Sequence, residues 1–235
     1  MNKPLTILNK PVVKIDVVSD VVCPWCYIGK RRLEKALNEL SSEYDFEIEY
    51  HPFELNPNMP ASGANHREYL IEKFGSEDRY EQITGQTAQV AAAEGLNFNF
   101  SEKSISPNTR KAHAIAQLAK EKGLQLNIVE SLFKAYFTEG LNLADDKNLV
   151  AVAVKAGLNQ DEVEQLLKDE NALVQIALHE QEMYKLGISG VPFYIINNKY
   201  GVSGAQASET FVKVLRDVGQ EIAAANACDV DGKNC

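Results

Sequence analysis

The spacing of hydrophobic residues divides the chain into a strand-rich beginning, a long helical middle and a strand-rich end. Residues 12–18 are mostly β-branched, which indicates a short buried strand. Across 27–40 the apolar positions recur at helical spacing, and across 45–54 they alternate with polar ones. These three segments predict a strand, a helix and a second strand, the order of a βαβ unit.

After a proline- and glycine-containing break at 57–63, the apolar spacing is helical almost throughout. Several predicted helices are followed by a glycine, the residue that most easily adopts the left-handed turn after a helix. The predicted helices are 68–74, 78–93, 109–122, 128–138, 147–156, 160–168 and 172–185.

The strand pattern returns near the end of the sequence. Residues 191–196 predict a strand, the Asn197-Asn198 pair a turn, and 199–203 the second strand of a hairpin. A last helix is predicted at 209–225, followed by a tail.

Composition narrows the class of protein. The 235 residues are 45% hydrophobic and 24% charged, enough to build a real core without a disulfide scaffold. The formal net charge of −9 argues against nucleic acid or an anionic membrane as a partner. We find no targeting segment and no apolar window of membrane-spanning length, so we expect a cytoplasmic protein.

The four cysteines form two pairs, and the first pair is the candidate redox site. Cys23 and Cys26 follow the first strand and begin the first helix, where two cysteines three positions apart can close a disulfide. The partial positive charge of the helix start stabilises Cys23 as a thiolate, and Pro24 suits a first helical turn. We expect the first sulfur to face outward, the second to lie beneath it, and Lys30, Arg31 and Arg32 to form a solvated face.

The alternative for this motif is half of a zinc site, with Cys228 and Cys235 as the other half. Six residues separate that second pair, where zinc knuckles use two, and a helix start is unlike a knuckle. A Cys-x-x-Cys beside a βαβ pattern is typical of thioredoxin-like redox proteins, so we favour redox chemistry and expect no metal.

A second motif, Gly190-Val191-Pro192, opens the downstream strand. Proline at the first position of a strand is unusual unless its bond geometry is used, although an ordinary trans edge proline would also fit. In thioredoxin-like folds a cis proline packs against the catalytic cysteines, and the backbone of the preceding residue pairs with substrate.

Three groups of residues together resemble the DsbA superfamily of thiol oxidoreductases, most of all its FrnE-like branch. 2-Hydroxychromene-2-carboxylate isomerases and kappa-class glutathione transferases are related branches. The residues that carry the resemblance are Cys23-Pro24-Trp25-Cys26-Tyr27-Ile28-Gly29, Pro107-Asn108-Thr109 with Ala112-His113, and Gly190-Val191-Pro192-Phe193 with Tyr200-Gly201-Val202-Ser203-Gly204-Ala205-Gln206.

The resemblance implies an α/β fold, namely a thioredoxin-like fold with a large all-helical insertion. We therefore expect a discontinuous core at 11–56 and 188–225, a helical insertion domain at 57–187 and a cysteine-containing tail at 226–235. Cys23 would be the attacking nucleophile and Cys26 the resolving thiol. Pro24, Trp25, Val191 and Pro192 would bind substrate. Trp25 stands where the periplasmic relatives carry histidine, so their oxidising potential does not transfer.

Other candidate residues have simpler structural interpretations. Asn108 fits a helix cap and His113 a structural histidine on an apolar helix face, but the resemblance implies that both face the cleft and bind substrate. We assign no function to His51, His66 or His179, the last two on helices expected to be exposed. Cys228 and Cys235 form either a local disulfide clip or a second redox pair.

These observations predict a thiol-disulfide oxidoreductase that acts by dithiol-disulfide exchange on a protein or small-molecule disulfide. The alternative is a glutathione-dependent isomerase or transferase of the 2-hydroxychromene-2-carboxylate isomerase type, which does not need Cys26. We expect no cofactor beyond the redox-active disulfide, with glutathione as a conceivable co-substrate. We also expect a monomer or homodimer.

Overall fold

The structure, a computed structural model, describes residues 10–101 and 103–231, with side chains through residue 225. The side chain of Cys228 and the whole of Cys235 lie outside this description, so both readings of the tail pair stay predictions. The described elements are β1 (Val12–Ser19), α1 (Pro24–Leu40), β2 (Asp45–Pro52), β3 (Ala64–Asn65), α2 (His66–Phe74), α3 (Glu77–Ala93), β4 (Ile105–Ser106), α4 (Arg110–Glu121), α5 (Gln125–Phe137), α6 (Asp146–Lys155), α7 (Gln160–Leu166), α8 (Glu170–Lys185), β5 (Phe193–Ile196), β6 (Tyr200–Ser203) and α9 (Ser208–Asp231).

The main sheet has four strands in the order β2-β1-β5-β6. β1 runs parallel to β2, as the predicted βαβ unit requires, and antiparallel to β5. β5 and β6 form the predicted hairpin, and its turn residues Asn197 and Asn198 have φ of 53° and 56°. Two residues with positive φ match the turn type that suits the twist of a hairpin.

The helices agree closely with the periodicity of the sequence, whereas a second, two-stranded sheet was not predicted. β3 pairs antiparallel with β4, and each has only two residues, too few to show an alternating pattern. This pairing joins the start of α2 to the segment before α4. α2 begins two residues earlier than predicted, where the Asn65 side chain accepts a hydrogen bond from the Glu68 backbone N–H at 3.1 Å.

α1 connects the sheet to the helical segments. It packs against α9 and α3, while α4, α5 and α8 contact β2. The Tyr27 ring of α1 stacks on Phe133 of α5, with 4.9 Å between ring centroids and an interplanar angle of 7°. One hydrophobic cluster therefore extends from the sheet through α1 into the helices.

Among the described residues, no helix combines the length and the apolar composition needed to cross a membrane.

Gly29 allows α1 to approach the end of the sheet closely. A Cβ at this position would overlap the Tyr194 hydroxyl and lie 3.3 Å from both Ala205 Cβ and Pro192 Cγ. The position is buried, so the neighbours cannot move into solvent to make room.

We expect Gly29→Ala to destabilise the protein by about 2 kcal/mol, since an added methyl group in a packed interior forces its neighbours apart. Gly85→Ala is the matched control, because nothing lies within 4 Å of a Cβ at that position in α3. It should raise stability by about 0.5–1 kcal/mol through helix propensity. Urea denaturation followed by circular dichroism measures both, and a Gly29→Ala protein as stable as the wild type would contradict the expected steric conflict.

Candidate active site

The two cysteines of the first pair lie where β1 passes into α1. Cys23 is the N-cap residue, with φ −85° and ψ 113°, and Pro24 is the first helical residue. The Cys26 backbone N–H donates to the Cys23 carbonyl at 3.0 Å, which closes the first turn. The helix thus places both sulfurs in a single turn at its positive end.

Both cysteines are free thiols, and both are buried, with 4% and 3% of their surface exposed. The expectation that the Cys23 sulfur faces outward is therefore wrong. The segment before β5 lies against this sulfur, and the Cys23 thiol donates to the Val191 carbonyl, with 3.7 Å between sulfur and oxygen. Trp25, in contrast, is 41% exposed.

Burial raises the pKa of the Cys26 thiol well above its usual value, and the neighbouring Cys23 raises it further. Cys26 therefore stays a neutral thiol at neutral pH.

The Val191–Pro192 segment lies against the start of α1. Its peptide bond is cis, and the Pro192 carbonyl accepts a hydrogen bond from the Gly204 backbone N–H at 2.8 Å. The structure thus brings Cys23, Val191 and Pro192 together, although they are about 170 residues apart in sequence. Their roles as nucleophile and substrate-binding backbone stay predictions.

A cavity of about 390 Å³ adjoins the Cys23 side of the site. Its walls come from the turn before α1, from α2 and α3, and from the segment around β4. The lining residues include Val22, Cys23, Trp25, Met59, His66, Leu70, Ile83, Thr84, Phe100, Ser106, Tyr136 and Val191. Cys26 is not among the lining residues.

Asn108 and His113 hydrogen-bond backbone groups and do not line this cavity. The Asn108 side chain donates to the Met59 carbonyl at 3.0 Å and accepts from the Arg110 backbone N–H at 3.1 Å. Thr109 is the N-cap of α4, so Asn108 supports the helix start from one residue further out than predicted. His113 Nε2 lies 3.1 Å from the Phe53 carbonyl oxygen. A role of these two residues in substrate binding stays a prediction.

Two residues near the site were missed by the sequence reasoning. Asp20 is buried, and its carboxylate accepts from the backbone N–H groups of Val22 at 3.3 Å and Leu55 at 2.8 Å. It therefore shapes the turn that carries Cys23, and an acidic residue directly after a buried strand was the available signal. His66 is also buried and lines the cavity, although the periodicity suggested an exposed helix.

The basic residues of α1 do not form a solvated face, which corrects the expectation. Lys30 is only 7% exposed and lies 2.6 Å from a Glu130 carboxylate oxygen on α5. Arg31 donates to the same carboxylate at 3.0 Å, and Arg32 to Glu94 at 2.6 Å. The helical segments cover this face of α1, so its charges are paired rather than hydrated.

Metal-ligating side chains come together at one place in the described part of the chain, away from the cysteines. Oxygen or nitrogen atoms of Asp16, Glu49 and His51 lie within 4.8 Å of one another. His51 Nε2 is 2.8 Å from Asp16 Oδ1, and Glu49 also pairs with Lys120. These hydrogen bonds and ion pairs account for the close approach of the three side chains.

The fold and the cysteine geometry define a thioredoxin-like protein, and comparison identifies its family. The model of the DSBA-like thioredoxin domain matches residues 14–216, so the chain belongs to that family. The predicted DsbA-superfamily membership and the predicted fold class, a thioredoxin-like fold with a helical insertion, are both confirmed. Members of the family are oxidoreductases or isomerases.

Relatives and solved structures agree with this assignment. The Bacillus subtilis (strain 168) "Uncharacterized protein YwbO" is 31% identical over 212 residues, covering 87% of this chain and 96% of that protein. A probable DsbA oxidoreductase from Streptomyces coelicolor is 33% identical, with a TM-score of 0.82 over 87% of this chain and 89% of its own. A 2-hydroxychromene-2-carboxylate isomerase structure shares the fold, with a TM-score of 0.65 and 16% identity over 91% of this chain and 98% of its own.

Glu130 provides a test of the contact between α1 and α5. Burial alone would raise the pKa of Glu130, but hydrogen bonds from Arg31 and Lys30 outweigh it and lower the pKa to about 2. A carboxyl whose folded pKa is depressed stabilises the fold above its unfolded pKa of about 4.3, and this stabilisation disappears as the pH falls towards 2.

We expect Glu130→Gln to destabilise the protein by about 2 kcal/mol at pH 7, because Lys30 and Arg31 lose their charged partner. The difference from wild type should shrink as the pH falls from about 5 to 2. Glu162→Gln is the control, since the Lys122–Glu162 pair is exposed and should contribute about 0–1 kcal/mol. Equal effects of the two variants in urea denaturation across this pH range would contradict the assignment.

Proposed function

We propose that the chain is a thiol-disulfide oxidoreductase in which Cys23 is the nucleophile and Cys26 the resolving thiol. The observation that carries the proposal is the meeting of three features at one point. They are two reduced cysteines in the first turn of α1, the carbonyl of Val191 within reach of the Cys23 sulfur, and a cavity that admits a ligand to Cys23. Family membership supports the same chemistry.

The environments of the two sulfurs fit different roles. Cys23 lines the cavity and is the N-cap residue of α1, so a ligand in the cavity can reach its sulfur. Cys26 does not line the cavity, and burial keeps its thiol neutral. A substrate disulfide therefore meets Cys23 first.

The exchange has two steps. The Cys23 thiolate attacks one substrate sulfur, a Cys23–substrate disulfide forms, and the other substrate sulfur leaves as a thiolate. Cys26 then attacks the Cys23 sulfur and releases the remaining substrate thiolate, and one of the two departing thiolates takes the Cys26 proton. The substrate disulfide is reduced by two electrons, and the protein dithiol becomes the Cys23–Cys26 disulfide. In the opposite direction the protein disulfide oxidises a substrate dithiol.

The backbone of Val191 is proposed to orient the substrate. Its carbonyl holds the Cys23 thiol in the unbound protein, so a bound substrate N–H can take over this acceptor. Trp25 lines the same cavity as Cys23 and Pro192 follows Val191, and both are proposed to complete the contact surface.

The proposed environment is a reducing one, in which glutathione or another thiol returns the protein to its dithiol form. A structure described as the cytosolic disulfide reductase DsbM from Pseudomonas aeruginosa with GSH shares the fold at 15% identity, with a TM-score of 0.59. It covers 91% of this chain and 99% of its own. Cell fractionation of the native host tests the cytoplasmic location.

Cys23→Ser should abolish reduction of a model disulfide by the chain, since no other thiol reaches the cavity among the described residues. Cys26→Ser should instead accumulate the Cys23–substrate mixed disulfide, because the resolving step is lost. Thiol-release kinetics and intact-protein mass spectrometry measure the two outcomes.

Two results would point elsewhere. Full turnover in Cys26→Ser together with glutathione-dependent isomerisation would favour the isomerase alternative, which needs only one cysteine. Zinc copurifying with the protein and lost in Cys23→Ser would instead favour a metal site at the cysteines.

Trp25 gives a direct optical readout of the proposed site. It is the only tryptophan in the sequence and lies between the two cysteines. We expect its fluorescence to change when the disulfide forms, and a glutathione redox titration then yields the reduction potential. The change should be absent in Cys23→Ser, and an unchanged spectrum in the wild type on oxidation would contradict a redox role.

A further inference from the structure

The cavity beside Cys23 is larger than the proposed exchange reaction requires. Disulfide exchange needs access to one sulfur and a backbone acceptor, and Val191 supplies the latter. The volume of about 390 Å³ falls in the range of sites for small organic ligands. The exchange reaction at Cys23 therefore does not account for the volume of the cavity.

The walls of the cavity are mostly apolar. Val22, Leu70 and Ile83 contribute aliphatic surface, and Phe100 contributes an aromatic ring. Such walls favour an apolar body and disfavour a hydrophilic peptide, whose polar groups would lose water without gaining partners.

One polar group in this wall has no partner. His66 is buried, and its Nε2 makes no hydrogen bond within the described part of the protein. The ring is fixed on its other sides: it stacks on Phe100, with 4.6 Å between centroids, and Nδ1 lies 3.1 Å from Ser106 Oγ and 3.2 Å from Tyr136 Oη. Leaving such a nitrogen unpaired in a buried site costs free energy.

The hydrogen-bond partners of Nδ1 indicate which nitrogen carries the proton. Two hydroxyl groups, those of Ser106 and Tyr136, lie within hydrogen-bond distance of Nδ1. A bare Nδ1 accepts a hydrogen bond from one of these hydroxyls, whereas a protonated Nδ1 would compete with both hydroxyl protons and leave a bare Nε2 without a donor. Burial lowers the pKa of His66 to about 4, so the ring is neutral, and we assign its single proton to Nε2.

We propose that this cavity selects a small disulfide or thiol with an apolar, preferably aromatic, body and an oxygen acceptor that binds the Nε2–H of His66. The inference rests on the proposed function, because it places the ligand sulfur at Cys23. His66 is then a specificity-determining residue rather than one that takes part in the exchange.

The reaction of such a ligand follows the exchange already described. The Cys23 thiolate attacks a diaryl disulfide, one aryl thiolate leaves, and a Cys23–aryl disulfide forms. Cys26 attacks Cys23 and releases the second aryl thiolate, so the ligand gains two electrons and the protein dithiol is oxidised. The acceptor on the aryl group that stays on Cys23 can bind His66 until Cys26 releases that group.

Two neutral probes that differ only in an acceptor test the proposal. Bis(acetylphenyl) disulfide carries a carbonyl oxygen on each ring, and diphenyl disulfide carries none. In wild type we expect the lower KM for the acetyl probe. His66→Phe keeps a ring to stack on Phe100 and removes the donor, so the KM for the acetyl probe should rise about tenfold relative to diphenyl disulfide, with a smaller effect on kcat.

Control variants separate specificity from structural damage. His179→Phe replaces a histidine outside the cavity and should leave the ratio of the two KM values unchanged. His66→Gln retains an N–H donor and should restore part of the preference for the acetyl probe. Thr84→Phe narrows the cavity from α3 and should raise KM for both diaryl probes relative to hydroxyethyl disulfide, a hydrophilic probe.

A binding measurement distinguishes failure of this inference from failure of the proposed function. In Cys23→Ser, which cannot exchange, the thioether bis(acetylphenyl) sulfide should still quench Trp25 fluorescence, and His66→Phe in that background should weaken its binding about tenfold. Equal KM changes for the two diaryl disulfides, or a preference of the wild type for hydroxyethyl disulfide or glutathione disulfide, would overturn the inference. If His66→Phe does not fold, as judged by circular dichroism, the same measurements on His66→Gln and Thr84→Phe test the inference.

Discussion

The structure depends most on the close packing of the start of α1 against the segment that precedes β5. Gly29 makes this approach possible, because a side chain there would meet Tyr194 and Pro192. The contact places the Val191 carbonyl beside the Cys23 sulfur and, together with the turn held by Asp20, defines where the first helical turn lies relative to the sheet. The Cys23 sulfur therefore has a fixed backbone neighbour, which fits the proposed dithiol exchange.

The helices between β2 and β5 cover one face of α1. They bury Lys30 and pair the basic residues of this face with Glu130 and Glu94. The same helices enclose the cavity beside Cys23, whose walls are mostly apolar and include the unpaired Nε2 of His66. The sheet and α1 thus provide the proposed chemistry, and the helices provide the proposed selectivity. The predicted boundaries at 56/57 and 187/188 stay predictions, since one hydrophobic cluster runs across them.

The sequence predicted much of the fold because local periodicity survives in long elements. The alternation in β2 and the helical spacing of α1 were both correct, and the turn at Asn197-Asn198 identified the hairpin. The two-residue strands β3 and β4 were missed, since pairing with a distant segment, rather than any local pattern, defines them. The candidate cysteines were found from their spacing, and Pro192 from its unusual position near the start of a predicted strand. That strand, β5, begins at Phe193, two residues later than predicted.

The sequence by itself therefore determined the order of elements, the position of the cysteine pair at a helix start and the class of chemistry that such a pair supports. These properties depend on residues that are close to one another in the sequence. Only the tertiary structure decided that both thiols are buried, that Lys30 is an interior ion-pair partner and that His66 faces a cavity with one nitrogen unpaired. Burial and ion pairing depend on contacts with segments that are tens of residues away in the sequence. Local periodicity does not indicate which of these segments will cover a given face of a helix.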